Sequence, residues 1–362
     1  MKSEILNIES IKNLQRKLSS LFGVSGFEED VSSFILSEIE SKGLADKAWV
    51  DPLGNVLAVK KGNDGQKKIL LDAHTDEIGF MVSHIEKTGF LRFVPIGGWD
   101  TRILLGQAVI IRSESGEVFH GIIGSKPPHL TSVNERKKIV EINDLYIDIG
   151  MGSKEEVLNG NLNIGTVGTL YSPFEEFPNN MVRGKAFDDR TGCNVLLHIM
   201  MLLKEKSEIK IKDTVLFNFA VQEERGRVGA ITGAFNLNPT MGLAIENTTA
   251  ADVPGIRESE IPVYIGKGPA ITVADKSIIS SPKVNKRLIK NAEHEKIPFQ
   301  IKKPMYGYTD AGRIQVTREG VPSSVVSVPC RYIHSPTSLL KLEDIYETIR
   351  LIDVFIRNPV NF

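Results

Sequence analysis

Cysteine is almost absent. Of 362 residues only Cys193 and Cys330 are cysteine, and one bridge cannot staple a chain of that size, which suits a reducing compartment. Charge of one sign is lacking too: 44 Lys and Arg face 45 Asp and Glu, a formal net charge of -1. Nucleic acid and anionic membranes both need concentrated positive charge, so neither is expected as a partner. Long apolar runs are missing. The longest, Val195 to Leu203, is broken by His198 and falls well short of the roughly 20 residues that cross a bilayer. The opening MKSEILNIES carries acids where a signal peptide has a basic flank and an apolar block, so the expected location is the cytoplasm. Repeats and low-complexity tracts do not occur. What is present is 41% hydrophobic residues, enough for packed cores, in a length that suggests two domains.

Ser25 and Glu28 have capping-box spacing, and Phe27, Val31, Phe34, Ile35 and Ile39 follow at helical intervals, which predicts a helix over 26–41. Strands are expected at 55–60 and 68–71. From about Gly79 to Pro178 glycines punctuate short β-type runs at 107–112, 117–123, 145–149 and 166–171, the texture of a compact all-β module. Strand and helix then alternate, with a helix face through Val195 to Leu203, strands at 214–221, 241–245, 262–265 and 323–328, and a closing helix through Leu342 to Ile352. The expectation is an α/β domain in two pieces, 1–78 and 180–362, with a small β domain inserted at 79–179.

Ligands of open α/β sheets bind beyond the carboxyl ends of the strands, and here each apolar run exits into metal-binding chemistry. KKILLDA delivers His74 with Asp76 two residues on, TVLFNFAVQ delivers Glu223 and Glu224, GLAI delivers Glu246, and SSVVSVPCRYI delivers His334. Asp188 and Asp189 stand just before a helix expected to begin near Gly192. Singly, each has an ordinary explanation: an HxD pair is common by chance, acids favour helix N-termini, and Glu223-Glu224 beside Arg225 and Arg227 could be a solvated charge cluster. Their joint placement is what matters. Two imidazoles and several carboxylates without thiolate suit zinc, cobalt or manganese, and one bridging carboxylate holds two ions about 3.5–4 Å apart. Of the adjacent glutamates, one can coordinate metal while the other serves as general base.

These motifs resemble those of the dinuclear-metal aminopeptidases called glutamyl aminopeptidase, deblocking aminopeptidase, FrvX-like or cellulase-M-like. SGFEEDV, LDAHTDEIGFMV, GIIGSKPPHL, GKAFDDRTG, VQEERG, AIENTTAADVPG, IGKGPAI, YTDAG and CRYIHSP occur in order along nearly the whole chain. The resemblance implies a zinc-peptidase-like three-layer α/β/α catalytic domain with an inserted small all-β domain serving oligomerisation or as a lid. It also implies TET-like tetrahedral dodecamers built from dimers, and hydrolysis of N-terminal residues from short peptides. Two divalent ions per subunit follow, zinc or cobalt ahead of manganese. His74 and Glu246 would be terminal ligands of one ion, Glu224 and His334 of the other, with Asp188 bridging, often through a cis peptide to Asp189. Glu223 would be the catalytic base, and Asp76 would orient His74.

The chain departs from the family pattern in four places. Glu246 stands where an aspartate is usual, Arg225-Gly226-Arg227-Val228-Gly229-Ala230 replaces VGLRGA, Thr337-Ser338 follows His334-Ser335-Pro336 where the family has an acid, and Gly307-Tyr308-Thr309-Asp310-Ala311 replaces GGTDA. Arg225 and Arg227 are expected to pair with glutamates at the surface or a subunit contact, ahead of presenting charge to an acidic substrate. The remaining histidines are expected to be structural, with His129 placed where it could reach a neighbouring site. Rival functions are another metal-dependent amide hydrolase of deacylase or carboxypeptidase type, a glycoside hydrolase, which needs no metal, and a non-catalytic assembly protein.

Overall fold

The computed structural model describes residues 5–64, 67–206, 211–303 and 307–360. Helices α1 (Ile8–Ser20) and α2 (Glu29–Ser41) precede strands β1 (Lys47–Val50), β2 (Val56–Lys60) and β3 (Lys68–His74). Strands β4 (Gly79–Ile85), β5 (Leu91–Ile96), β6 (Ala108–Arg112), β7 (Val118–Gly124) and β8 (Tyr146–Asp148) follow, then the short α3 (Lys154–Asn159) and β9 (Val167–Leu170). Next come β10 (Glu175–Phe177), β11 (Met181–Gly184), α4 (Phe187–Glu205), β12 (Thr214–Ala220), α5 (Val228–Leu237) and β13 (Met241–Thr249). The chain continues through β14 (Ala270–Thr272), α6 (Pro282–His294), β15 (Gln300–Lys302), α7 (Ala311–Ile314), β16 (Ser323–Arg331), β17 (Ser338–Lys341) and α8 (Leu342–Arg357).

Two sheets result, and the fold is the mixed α/β class read from the sequence. The larger runs β1-β2-β12-β3-β13-β16-β17-β11-β10, with β14 and β15 attached beside β16, while β4-β5-β8-β7-β6-β9 close into a small barrel. Strands β12, β3, β13 and β16 are mutually parallel. Parallel strands are covered on both faces and so read as unbroken apolar runs. Alternation still sorts their side chains: Ile69, Leu71 and Ala73 of β3 enter the core beneath α1, α4 and α8, whereas Leu70 joins Leu57, Leu216, Ala230 and Ala234 beneath α5 on the opposite face. The barrel has its own core of Phe80, Leu91, Val109, Ile111, Ile147 and Leu170.

Helix α4 lies between the sheet and α1 and is buried along almost its whole length. The apolar run Val195 to Leu203 belongs to it, and no helix among the described residues is long and apolar enough to cross a membrane. His198 in this helix is structural: Nδ1 donates to the Asn194 carbonyl at 3.1 Å and Nε2 meets Ser10 Oγ of α1 at 3.1 Å. Burial pushes its pKa down to about 4.

Three local expectations are corrected. Ser25 does not cap α2; its hydroxyl donates to Asp76 Oδ2 at 2.6 Å, and Glu28 occupies the cap position with Oε1 accepting from the amides of Gly26 and Gln222. The segment 262–265 is not a strand, because Pro262 brings no donor and side chains take the next free amides: Tyr264 N–H donates to Gln300 Oε1 and Ile265 N–H to Asp252 Oδ2. Strand β13 runs on to Thr249 in register with Cys330 of β16, so Glu246 lies within the strand rather than beyond it. Helix α1 was not anticipated, although Asn7 caps it by accepting from Ser10 N–H at 2.8 Å.

Candidate metal centre

His74 ends β3, Asp188 follows β11, Glu223 and Glu224 sit in the turn after β12, Glu246 lies in β13, and His334 follows β16. The chain turns sharply out of these elements. Gln222, Arg227, Tyr332 and His334 have φ of 55°, 61°, 59° and 58°, a region that non-glycine residues populate sparsely and that clusters at functional sites. The Asp188-Asp189 peptide is cis.

Asp188 stands between two imidazoles. Its Oδ1 lies 3.4 Å from His74 Nε2 and its Oδ2 lies 3.6 Å from His334 Nε2. Glu246 Oε2 is 3.9 Å from His74 Nε2, and Glu224 Oε1 is 3.0 Å from His334 Nε2. Donor atoms of His74, Asp188 and Glu224 lie within 4.8 Å of one another, as do those of His74, Asp189 and Glu246. Asp189 was not expected as a donor. Its carboxylate is already engaged by backbone, accepting from His74 N–H at 3.3 Å and Gly192 N–H at 3.0 Å.

The groups behind these side chains fix their direction. Asp76 is fully buried and accepts from Ser25 Oγ at 2.6 Å, Glu223 N–H at 2.9 Å and Glu224 N–H at 3.1 Å. His74 Nδ1 faces the same residue, 3.2 Å from its carbonyl oxygen and 3.3 Å from Oδ1. Both are acceptors, so Nδ1 carries a proton and Nε2, on the Asp188 side, is the nitrogen left to ligate an ion. His334 is set likewise by the barrel: Nδ1 lies 3.1 Å from the Gly98 carbonyl in the loop after β5. At Gly97, where φ is +79°, a Cβ would come 2.4 Å from Ile78 Cγ2 and 3.2 Å from Glu224 Oε2, so this approach needs glycine. Arg190 ties the N-terminal segment to the site, its guanidinium donating to the carbonyls of Thr75, Leu18 and Gly23.

Negative charge is in excess here. Burial raises the carboxyls of Glu223, Glu246 and Asp189 well above the usual carboxylate range, His74 opposing in each case and neighbouring acids reinforcing it. Burial opposes charge on His74, yet Asp188 and Asp76 hold its pKa well above the ordinary value. His334 is raised to about 11, Asp188 and Glu224 overriding burial. Asp310, whose amide donates to Glu246 Oε1 at 3.0 Å, is fully buried, and burial together with neighbouring Asp72 raises its carboxyl well above the usual carboxylate range, His74 opposing. Imidazole and carboxylate donors without thiolate, set among surplus buried acids, are the chemistry that divalent ions of the zinc, cobalt and manganese type satisfy.

Arg225 is exposed and Arg227 lies over the Tyr308 ring at 4.8 Å. Neither forms an ion pair among the described residues, so the surface pairing with glutamate expected of them is not found there. Gly97, Gly98 and Asp310 were not singled out as site residues in the sequence, and Glu28 was read only as part of a capping box. Asp310 lies within the YTDAG motif, whereas a glycine pair carries no signal of its own.

Residues 54–351 match the family model described as M42 glutamyl aminopeptidase. Among named relatives, the lysyl aminopeptidase of Pyrococcus furiosus is 32% identical over 96% of this chain and 98% of its own. Among solved structures, a TET aminopeptidase of the marine sediment archaeon Thaumarchaeota archaeon SCGC AB-539-E09 superposes with a TM-score of 0.93 at 41% identity, covering 97% of this chain and 96% of that one. The TET1 peptidase of Pyrococcus horikoshii, described as assembling into a tetrahedron or a large octahedral shell, gives a TM-score of 0.85 at 33% identity over 97% and 100% of the two chains.

Proposed function

Because this chain belongs to the M42 glutamyl aminopeptidase family and is therefore a peptide hydrolase of aminopeptidase type, we propose that it removes N-terminal residues from short peptides at a site holding two divalent ions. The observation that carries this reading is Asp188 between His74 and His334, one carboxylate oxygen facing each imidazole. His74 and Glu246 would complete the ligands of one ion and Glu224 and His334 those of the other, zinc or cobalt ahead of manganese. Bound there, such ions supply Lewis-acid polarisation of a carbonyl and a lowered pKa of water.

The chain's own groups do the rest. Glu223 is half-buried in the cavity lining, and its carboxylate makes no hydrogen bond or ion pair among the described residues. Burial raises its proton affinity, His74 opposing and Asp310, Glu224 and Glu246 adding to the rise, the direction a general base needs. It takes a proton from the attacking water and returns it to the leaving amine. Asp76 holds His74 in one tautomer and fixes the backbone of Glu223 and Glu224, so base and ligand keep their spacing.

The functional particle is proposed to be a dimer-based dodecamer. The shells described for the Pyrococcus horikoshii relative support this, as do Leu130, Val133 and Ile139, each more than 60% exposed on the barrel segment 125–143. The inserted region 79–179 would serve that assembly while its Gly97-Gly98 loop sets His334. Two free, buried cysteines accord with the cytoplasm.

The test compares peptides with a free amine against their N-acetylated counterparts, using chelated and then zinc- or cobalt-reconstituted protein. Cleavage of free-amine peptides alone, at least about a hundredfold faster than blocked ones, is expected. Equal cleavage of blocked peptides would favour the deacylase or carboxypeptidase rival.

A further inference from the structure

A cavity of about 530 Å³ opens from the candidate metal centre, and its outer wall includes Arg227, Gly307 and Tyr308, the last of them 52% exposed. Two cations converge on the Tyr308 ring: the Arg227 guanidinium lies 4.8 Å and the Lys276 ammonium 5.3 Å from its centroid. Neither has an anionic partner among the described residues. Asp275, the carboxylate beside Lys276, is already engaged: Oδ1 accepts from Ser277 N–H at 2.6 Å, Ser277 Oγ at 2.8 Å and Ile278 N–H at 3.0 Å, and Oδ2 accepts from Thr309 Oγ1 at 2.8 Å. The other acids lining the cavity are the proposed metal ligands and base. Backbone bonds hold the three side chains in place. Arg227 N–H donates to the Glu223 carbonyl at 2.8 Å in the turn before α5. Lys276 N–H donates to the Gly307 carbonyl at 2.9 Å and Thr309 N–H to Ser277 Oγ at 3.2 Å, which ties the 275–278 turn to the 307–309 segment. Arg227 and Tyr308 also stand in two of the stretches where the chain departs from the family pattern, and in space they meet.

Two like charges gathered over one ring repel each other, and their contacts with the ring offset this only modestly beside water. An anion set between them reverses the balance, because both cations then face opposite charge. Which anion follows from the reaction. An aminopeptidase places a single residue on the amino side of the scissile bond, so whatever part of a peptide reaches the outer wall belongs to the leaving portion. The anion common to every leaving portion, whatever its sequence, is the terminal carboxylate. We infer that Arg227 and Lys276, presented together by Tyr308, bind the C-terminal carboxylate of the substrate, so that the enzyme selects very short peptides by their free carboxyl end. The inference rests on the aminopeptidase reading and deepens it at the end of the peptide away from the cut, independently of which N-terminal residue is removed. Arg227 stands three residues beyond Glu224 in one turn. Extended chain advances about 3.3–3.6 Å per residue, so about two or three residues past the scissile bond bring a carboxylate to the cations, and a longer peptide carries it past them into solvent.

The experiment measures kcat and KM of metal-reconstituted protein on Leu-Gly-Gly, its C-terminal amide, the amide of Leu-Gly-Asp, and Leu followed by five glycines with a free carboxyl end. The wild type should favour Leu-Gly-Gly over its amide by about tenfold in kcat/KM, through KM with kcat alike, since the contact is the same in ground and transition states. The preference should shrink several-fold between about 20 and 500 mM NaCl, because an exposed charge pair is screened. The hexapeptide should resemble the amide. In the double variant Arg227→Gln with Lys276→Gln the ratio of free acid to amide should fall to about one, whereas Arg227→Lys should keep most of it. Equal KM for Leu-Gly-Gly and its amide in the wild type would overturn the inference while the aminopeptidase stands. A preference that persists in the double variant would overturn it too, assigning the carboxylate to another group. Full recovery with the amide of Leu-Gly-Asp would transfer recognition to a side chain and refute the C-terminal assignment. Hydrolysis of none of the four by reconstituted wild type would remove the aminopeptidase reading, and this inference with it.

Discussion

Replacing Glu223 with Gln should lower kcat by about three orders of magnitude while leaving the fold and the metal content unchanged. Gln has the same shape, and what Glu223 contributes to the local structure is its backbone: the amide donates to Asp76 Oδ1 and the carbonyl accepts from Gly226 and Arg227. The substitution keeps all of these. What it removes is the ability to accept a proton, because an amide is not basic near neutral pH. The carboxyl it replaces is raised by burial, with His74 opposing and Asp310, Glu224 and Glu246 adding to the rise, the direction expected of the proposed base. Steady-state kinetics beside metal analysis and thermal unfolding of the same preparation would measure this. A kcat within about tenfold of wild type would assign proton transfer to another group.

Asp76→Ala should damage both stability and activity, because four groups converge on that one side chain. Ser25 Oγ and the amides of Glu223 and Glu224 donate to its oxygens, and His74 Nδ1 sits 3.3 Å from Oδ1. Burial opposes ionisation of Asp76, yet His74 and Ser25 hold its carboxyl below the usual range, so it is an acceptor throughout the neutral pH range. Each buried donor left unpaired costs about 1–3 kcal/mol, and water entering the vacated volume would recover part of this. A net loss of about 3–4 kcal/mol is expected in chemical denaturation. His74 Nδ1 keeps the backbone carbonyl at 3.2 Å but loses the carboxylate beside it, which should weaken metal binding at the proposed site by roughly tenfold. Because Glu223 moves with the same backbone, kcat/KM on any peptide should drop by at least about a hundredfold even at saturating metal. Asp76→Asn separates the contributions: it keeps the volume and one acceptor oxygen but turns an N–H toward a donor. Wild-type stability in Asp76→Ala would show that the convergence of hydrogen bonds is incidental.

The strand ends were legible because burial on both faces makes β3, β12, β13 and β16 plain apolar runs, and polar residues following such runs in one chain collect at one edge. That logic reached His74, Glu223, Glu224 and His334 by position, and it reached Glu246 although the strand continues past it. Local rules failed where a tertiary partner competed with them. Ser25 and Glu28 have the spacing of a capping box, but Asp76 and the amide of Gln222 lie within reach and take their side chains instead. Pro262 to Ile265 has strand composition, but its amides are claimed by Gln300 and Asp252. The Gly97-Gly98 loop was invisible for a different reason. It meets His334 far along the chain, and a glycine pair in a turn carries no information about what will face it.

The most direct test of the account is the number of divalent ions taken up by chelated protein titrated with cobalt or zinc, followed by metal analysis and peptide hydrolysis in the same samples. About two ions per chain are predicted for the wild type, with hydrolysis rising as they bind, and at most one tightly held ion for Asp188→Ala, which removes the carboxylate placed between His74 and His334. Full hydrolysis by metal-free protein, or two tightly held ions in Asp188→Ala, would contradict it.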